Sequence, residues 1–185
     1  MPYICCMEHF PERLKKKLQE RKAINALRNL TSIEGKIDFC SNDYLGFARS
    51  AELSSLVSQY LKEHNIIANG SSGSRLLSGN SGLYENTEQM LSEYYLSEGA
   101  LIFNSGYDAN LGFFGSVPQK GDLILYDELS HASIRDGIGI SNAKAYKFKH
   151  NNLDDLQKLL DRFQVEDSAP GEPVVYVVTE SVFSM

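Results

Sequence analysis

Apolar residues recur every three to four positions near the start of the chain. Phe10, Leu14 and Leu18 stand among Lys and Glu, and Ile24 and Leu27 follow. That spacing predicts an amphipathic helix over about residues 9–29. The segment "GKIDFCSND" then reads as a short strand and turn. Leu53, Leu56, Val57, Tyr60 and Leu61 form a second stripe at helical spacing. Residues 68–82, "ANGSSGSRLLSGNSG", break the pattern with Gly and Ser. A flexible linker has such a composition. The interruption by Arg75, Leu76 and Leu77, which need partners, favours an ordered loop. Ser81 is placed to cap the next helix, whose face is Leu83, Thr87, Met90, Leu91 and Tyr94.

From residue 100 onward the period switches back and forth. Apolar runs at 100–103, 122–126, 145–148 and 173–179 predict strands, and helical spacing at 107–116, 131–140 and 153–163 predicts helices between them. Asn152 is the expected cap of the last helix, and Leu153, Leu156, Leu159, Leu160 and Phe163 its apolar face. "EDSAPGEP" is the turn before the final strand. Strands alternating with helices imply crossover connections and a mainly parallel sheet. The unbroken apolar run "VVYVV" predicts a strand covered on both faces. The sequence stops at "TESVFSM", just beyond that strand, where α/β sheets gather ligands. This predicts the first part of a longer protein.

Composition narrows the class. The chain has 185 residues, 42% hydrophobic and 23% charged, as in a globular domain of ordinary size. Its formal net charge of −6 argues against nucleic acid or acidic membrane as a partner. No apolar run approaches the roughly 20 residues of a membrane span. The first residues lack the basic flank and apolar core of a secretory signal. Cys5, Cys6 and Cys40, an odd count without such a signal, read as reduced cytoplasmic thiols. They have no second Cys/His pair at metal spacing, so no metal site is expected.

Candidate chemistry collects at the predicted strand ends. In "IFNSGYDANLG" a strand gives way to a helix through Asn104, Ser105 and Gly106. Amides of Gly106 and Tyr107 at such a start can hold an anion, or simply form a tight turn. Neither a Walker loop nor a dinucleotide fingerprint is present. His131 in "YDELSHASIRDG" follows the next strand; it can stack on a flat ring while hydrogen-bonding, or pack locally. Ser184 follows the last strand, where a hydroxyl can reach a ligand or have no role. Asn42 in "FCSNDYLG" is ordinary turn chemistry unless a carboxylate is bound nearby. Arg28 closes the first predicted helix and matters if a carboxylate substrate is expected. His9, His64 and His150 have no acidic partner in the pattern and read as surface residues. No Ser sits in a G-x-S-x-G elbow.

Taken together, "FCSNDYLGF", "GSSGSRLLSGNSGLYENTEQMLSEYY", "IFNSGYDANLG", "YDELSHASIRDG" and "VVTESVFSM" resemble the α-oxoamine synthases in order and spacing, over about residues 10–185. These are fold-type I, aspartate aminotransferase-like enzymes dependent on pyridoxal 5'-phosphate (PLP). The resemblance implies a three-layer αβα fold with a mainly parallel sheet, cut before completion. It implies an N-terminal segment over residues 1–55 and the first part of the PLP-binding domain over 56–185. "SNDYLG" and the "GSSGSR…SGN" loop are most similar to the biotin-pathway branch, which condenses L-alanine with pimeloyl-CoA or its carrier-protein equivalent. "HASIRDG" also resembles the branch that joins glycine to acetyl-CoA. A non-catalytic binding module of the same shape is the rival from another class.

The resemblance implies a role for each candidate. Gly106 and Tyr107 would bind the PLP phosphate through their amides. His131 would stack on the cofactor ring near the amino-acid carboxylate and serve as the catalytic histidine. Ser184 would contact the cofactor near its phenolic oxygen. Asn42 would lie near the substrate carboxylate, and Arg28, in "NALR", at the acyl-substrate site. The lysine that holds PLP covalently and the aspartate that pairs with its ring nitrogen have no matching motif here, which implies that this polypeptide alone is inactive. A cytoplasmic homodimer is implied for the parent enzyme.

Overall fold

The computed structural model describes residues 11–30, 35–163 and 173–184. The chain divides into two compact units, Met1–Ala68 and Asn69–Met185.

In the first unit, helix α1 spans Glu12–Ala23 and helix α2 spans Ala51–Glu63. The helix predicted over 9–29 thus ends earlier. Asn25 adopts φ 53°, and Ala26 N–H turns back to the Arg21 carbonyl at 2.8 Å. A left-handed residue stops the helical ladder there. The start of that prediction, with His9 and Phe10, lies outside the described residues. The strand predicted in "GKIDFCSND" does not form. The Asp38 carboxylate accepts the amides of Cys40 at 2.9 Å and Ser41 at 3.0 Å. Such local bonds take the donors that a ladder would need. Ser50 caps α2 by accepting Leu53 N–H at 3.1 Å.

In the second unit, the Gly/Ser stretch forms a single wide helical turn, Arg75–Gly79, followed by helix α3, Gly82–Tyr95. The loop is ordered, as its sequence predicts, because Arg75 has partners. Its guanidinium meets Glu88 in a fork, at 2.6 and 2.8 Å, and holds the Asn80 side-chain oxygen at 3.0 and 2.9 Å. Ser81 stands at the N-cap position of α3, though its side chain makes no capping bond.

Residues 100–103 pair with no strand among the described residues, contrary to expectation. The Ile102 amide is taken by Glu88 Oε1 at 2.8 Å. Beyond them the alternation holds: α4 Gly106–Ser116, β1 Leu123–Asp127, α5 Ala132–Ile140, β2 Lys144–Phe148, α6 Leu153–Arg162 and β3 Val175–Val178. The three strands form a parallel sheet in the order β2-β1-β3, with Leu125 opposite both Tyr146 and Val177. Asn152 caps α6 by accepting Asp155 N–H at 2.8 Å.

Alternation along the central strand builds two cores. Ile124 faces Phe114 of α4 and Ile134 and Ile138 of α5. Leu123 and Leu125 face the other way, onto Phe148, the α6 residues Leu156, Leu159 and Leu160, and Phe163 just past the end of α6. Helices therefore cover both faces of β1, giving an αβα sandwich. Ile124 and Leu125 are fully buried, each contributing about 1.5–3 kcal/mol by leaving water. The strand covered on both faces is β1, not β3. Val177 remains 50% exposed at the edge, and Leu153 also stays outside the α6 core at 77%.

Candidate functional site

β2 and β3 both pair parallel with β1, so the loops after β1, β2 and β3 open at one edge of the sheet. The loop after β1 carries His131, the N-cap residue of α5. Its amide donates to Glu180 Oε2 at 2.8 Å, which ties the start of α5 to the segment beyond β3.

The N-terminus of α4 meets the same place. Ser105 is its cap: Oγ accepts the Asp108 amide at 3.1 Å and donates to the Asp108 carboxylate at 3.0 Å. That serves the third helical amide. The first two, of Gly106 and Tyr107, have no partner among the described residues. The space beside Gly106 is open, since a Cβ built there meets nothing within 4 Å. Two amides without partners at the positive end of an eleven-residue helix are able to seat an anion. Asp108 places negative charge in the first turn, so this seat relies on directed N–H groups rather than net charge.

Tyr107 and His131 come together, with ring centroids 6.3 Å apart in an edge-to-face arrangement. The Tyr107 hydroxyl donates to the Asp136 carboxylate of α5. That bond, with burial and the aspartate's charge, raises the phenol above its ordinary pKa, so Tyr107 stays neutral. The sequence-predicted helix start and the predicted histidine are therefore neighbours.

Three residues that the sequence did not single out support this pair. Asn110 of α4 donates through Nδ2 to Ser133 Oγ at 2.8 Å, and Ser133 Oγ lies 2.8 Å from His131 Nδ1. The Ser133 amide also donates to Nδ1, at 3.2 Å. Glu180 is the third, through the His131 amide. Asn110 and Ser133 lie inside the segments "IFNSGYDANLG" and "YDELSHASIRDG", but nothing along the chain pairs them; only helix packing brings them together.

A second histidine at this edge corrects an expectation. His150 follows β2 and is not a free surface residue. Its Nδ1 donates to both oxygens of Asp127, each at 3.1 Å, and its ring stands edge-on to Phe183 at 4.6 Å. Asp127, at the end of β1, is fully buried. Burial pushes its carboxyl up, but the amides of Leu129 and Asn151 and the His150 ring outweigh this and lower it. The signal in the sequence was topological: His150 stands after β2 as His131 stands after β1. His64, by contrast, is exposed, stacked on Tyr60 at 4.0 Å.

Ser184 is exposed beyond the end of β3. Asn42 and Arg28 belong to the first unit. Asn42 is exposed, its carbonyl accepting Tyr44 N–H at 2.9 Å. Arg28 lies beyond the end of α1 rather than in its last turn, and is exposed. Among the described residues there is no His/Cys/Asp/Glu group able to hold a metal ion, and no helix long and apolar enough to cross a membrane.

Residues 34–185 match the family "aminotransferase class I and II". The chain is 38% identical over 182 residues to an 8-amino-7-oxononanoate synthase of Emericella nidulans, covering 94% of this chain and 43% of the relative. It is 38% identical over 192 aligned positions to the enzyme of that name from Haemophilus ducreyi, covering 97% and 47%. A serine palmitoyltransferase variant from S. paucimobilis, solved with PLP and myriocin bound, superposes with a TM-score of 0.73 at 28% identity, over 94% of this chain and 46% of its own. The chain thus spans under half the length of the relatives it matches.

Proposed function

Because the chain belongs to the aminotransferase class I and II family and carries its mainly parallel α/β fold, we propose that the whole protein is a PLP-dependent α-oxoamine synthase. Its reaction is the decarboxylative condensation of L-alanine with pimeloyl-CoA or a pimeloyl carrier protein, giving 8-amino-7-oxononanoate. The observation that carries this reading is the convergence of the free α4 amides with His131 at the carboxyl edge of the sheet. The two synthases at 38% identity favour this substrate pair.

The residues fit the cofactor. The Gly106 and Tyr107 amides suit a phosphate ester, and the open space beside Gly106 admits it. When bound, PLP supplies the electron sink that makes the amino acid's α-carbon nucleophilic. This chain's residues supply position. The α4 amides hold the phosphate end, so the reacting end stays in register. His131 would face the ring and direct a polar N–H towards the amino-acid carboxylate. Ser184 would contact the cofactor near its phenolic oxygen. Asn42 serves the substrate carboxylate and Arg28 the acyl substrate. The α-carbon loses its proton to a base and attacks the thioester carbonyl, the thiol leaves, the former carboxyl group departs as CO₂, and a proton takes its place on the α-carbon. The working form is a cytoplasmic homodimer.

The serine palmitoyltransferase neighbour supports a second reading, L-serine with a longer acyl thioester, and the motif "HASIRDG" a third, glycine with acetyl-CoA. The test is an assay of the full-length protein with PLP. L-alanine, glycine and L-serine are each paired with pimeloyl, acetyl and palmitoyl thioesters, and thiol and CO₂ release are followed. Alanine with the pimeloyl thioester is expected to be the best pair. Preference for another pair reassigns the substrate, and no thiol release with any pair overturns the enzyme reading.

A further inference from the structure

His131 Nδ1 receives two donors. The Ser133 amide can only donate, and it lies 3.2 Å from Nδ1. The Ser133 hydroxyl lies 2.8 Å from the same nitrogen, and its oxygen already accepts from Asn110 Nδ2 at 2.8 Å. Nδ1 accepts the Ser133 amide and so has no proton to give, and the one proton of the Ser133 hydroxyl therefore turns to it. Donation therefore runs one way, from Asn110 through Ser133 to His131 Nδ1. A nitrogen that accepts two N–H or O–H groups carries no proton of its own. The imidazole proton must then sit on Nε2, which has no hydrogen-bond partner among the described residues.

The relay is built into the contact between α4 and α5. Ser133 is only 1% exposed, so water does not compete for its hydroxyl. Asn110 reaches it because Gly137, one turn further along α5, lets the helices approach closely. A Cβ on Gly137 would lie 2.8 Å from the Asn110 carbonyl oxygen. The second histidine at this edge shows the opposite arrangement. Asp127 can only accept, so it holds the His150 proton on Nδ1.

We propose that Asn110 and Ser133 are positioning residues that fix His131 as its Nε2–H tautomer, making Nε2 an outward hydrogen-bond donor for an oxygen acceptor in the site. Given the function proposed above, on which this assignment of the acceptor rests, that acceptor is the carboxylate of the amino-acid substrate. The tautomer itself follows from the protein's own donors and holds with or without cofactor.

The test is imidazole ¹⁵N NMR of the histidine-labelled full-length protein, first without PLP. His131 is identified by loss of its resonances in His131→Gln. Nδ1 is expected at the pyridine-type position and Nε2 at the pyrrole-type position. In Asn110→Asp, close to isosteric, the donor becomes an acceptor and the Ser133 hydroxyl turns away from His131. Both nitrogens should then move towards averaged positions, and Ser133→Ala should give the same shift. A pyrrole-type Nδ1 in the wild type overturns the proposal. So does a tautomer unchanged in both variants when their circular dichroism matches the wild type. PLP is then added. If the tautomer is as expected but neither a visible absorption band nor a shift of the His131 resonances appears, the cofactor reading falls and the relay stands.

Discussion

Gly137 lies so close to Asn110 that a Cβ placed on it would sit 2.8 Å from the Asn110 carbonyl oxygen and 3.0 Å from Phe114 Cβ. Backbone oxygen cannot swing aside as a side chain can. Gly137→Ala should therefore spread α4 from α5 and cost about 1–3 kcal/mol by overpacking. The helix-propensity gain of about 1 kcal/mol offsets only part of that. Gly139, two residues on, meets nothing within 4 Å. Gly139→Ala should take the propensity gain alone and be neutral to stabilising. Thermal melts of the two variants in one background are expected to move in opposite directions.

Acid stability should depend on Glu88. The Arg75 fork, then the Ile102 amide, hold its carboxyl at about 2, against an ordinary 4.5. A carboxyl depressed in the folded state stabilises above its ordinary value and loses that contribution as pH falls towards the depressed one. The denaturation midpoint of the wild type should drop between about 4.5 and about 2, and Glu88→Gln should flatten that limb. Arg75→Lys should not preserve it, because an ammonium cannot reproduce the fork.

Asp127 anchors two segments, its own loop through the Leu129 amide and the turn after β2 through the Asn151 amide and the His150 ring. Asp127→Ala leaves those part-buried donors without their shared acceptor. The expected cost is about 1–3 kcal/mol. His150→Ala leaves the carboxylate two backbone donors and should cost less. Chemical denaturation of both variants gives the comparison.

Gly106→Ala separates folding from binding. Nothing else among the described residues lies within 4 Å of the added methyl group, so the melting temperature should hold or rise slightly. A phosphate seated on the first two amides of α4 would meet that methyl group. PLP affinity of the full-length protein should fall, measured by equilibrium titration at constant ionic strength. Equal affinity in both forms would place the phosphate elsewhere.

Much of the fold could be read along the chain because the parallel αβ region repeats one signal, a short apolar run followed by helical spacing. β1, α5, β2, α6 and β3 all stand where those periods place them. Failures came where polar side chains captured backbone donors. Asp38 did so in "GKIDFCSND" and Glu88 did so at Ile102. Burial of the last strand was misjudged because apolar composition does not distinguish a central strand from an edge. In the candidate site, His131, Gly106 and Tyr107 were visible as strand-end residues. Asn110, Ser133 and the Asp127–His150 pair were not. Their partners lie twenty or more positions away and are joined only by helix and strand packing.

The central claim is that the α4 amides and His131 form one cofactor seat. A crystal structure of the full-length protein with PLP tests it most directly. The account predicts the phosphate within hydrogen-bond distance of the Gly106 and Tyr107 amides, with the ring against His131. A fully occupied PLP bound elsewhere, with those two amides facing solvent, would contradict it.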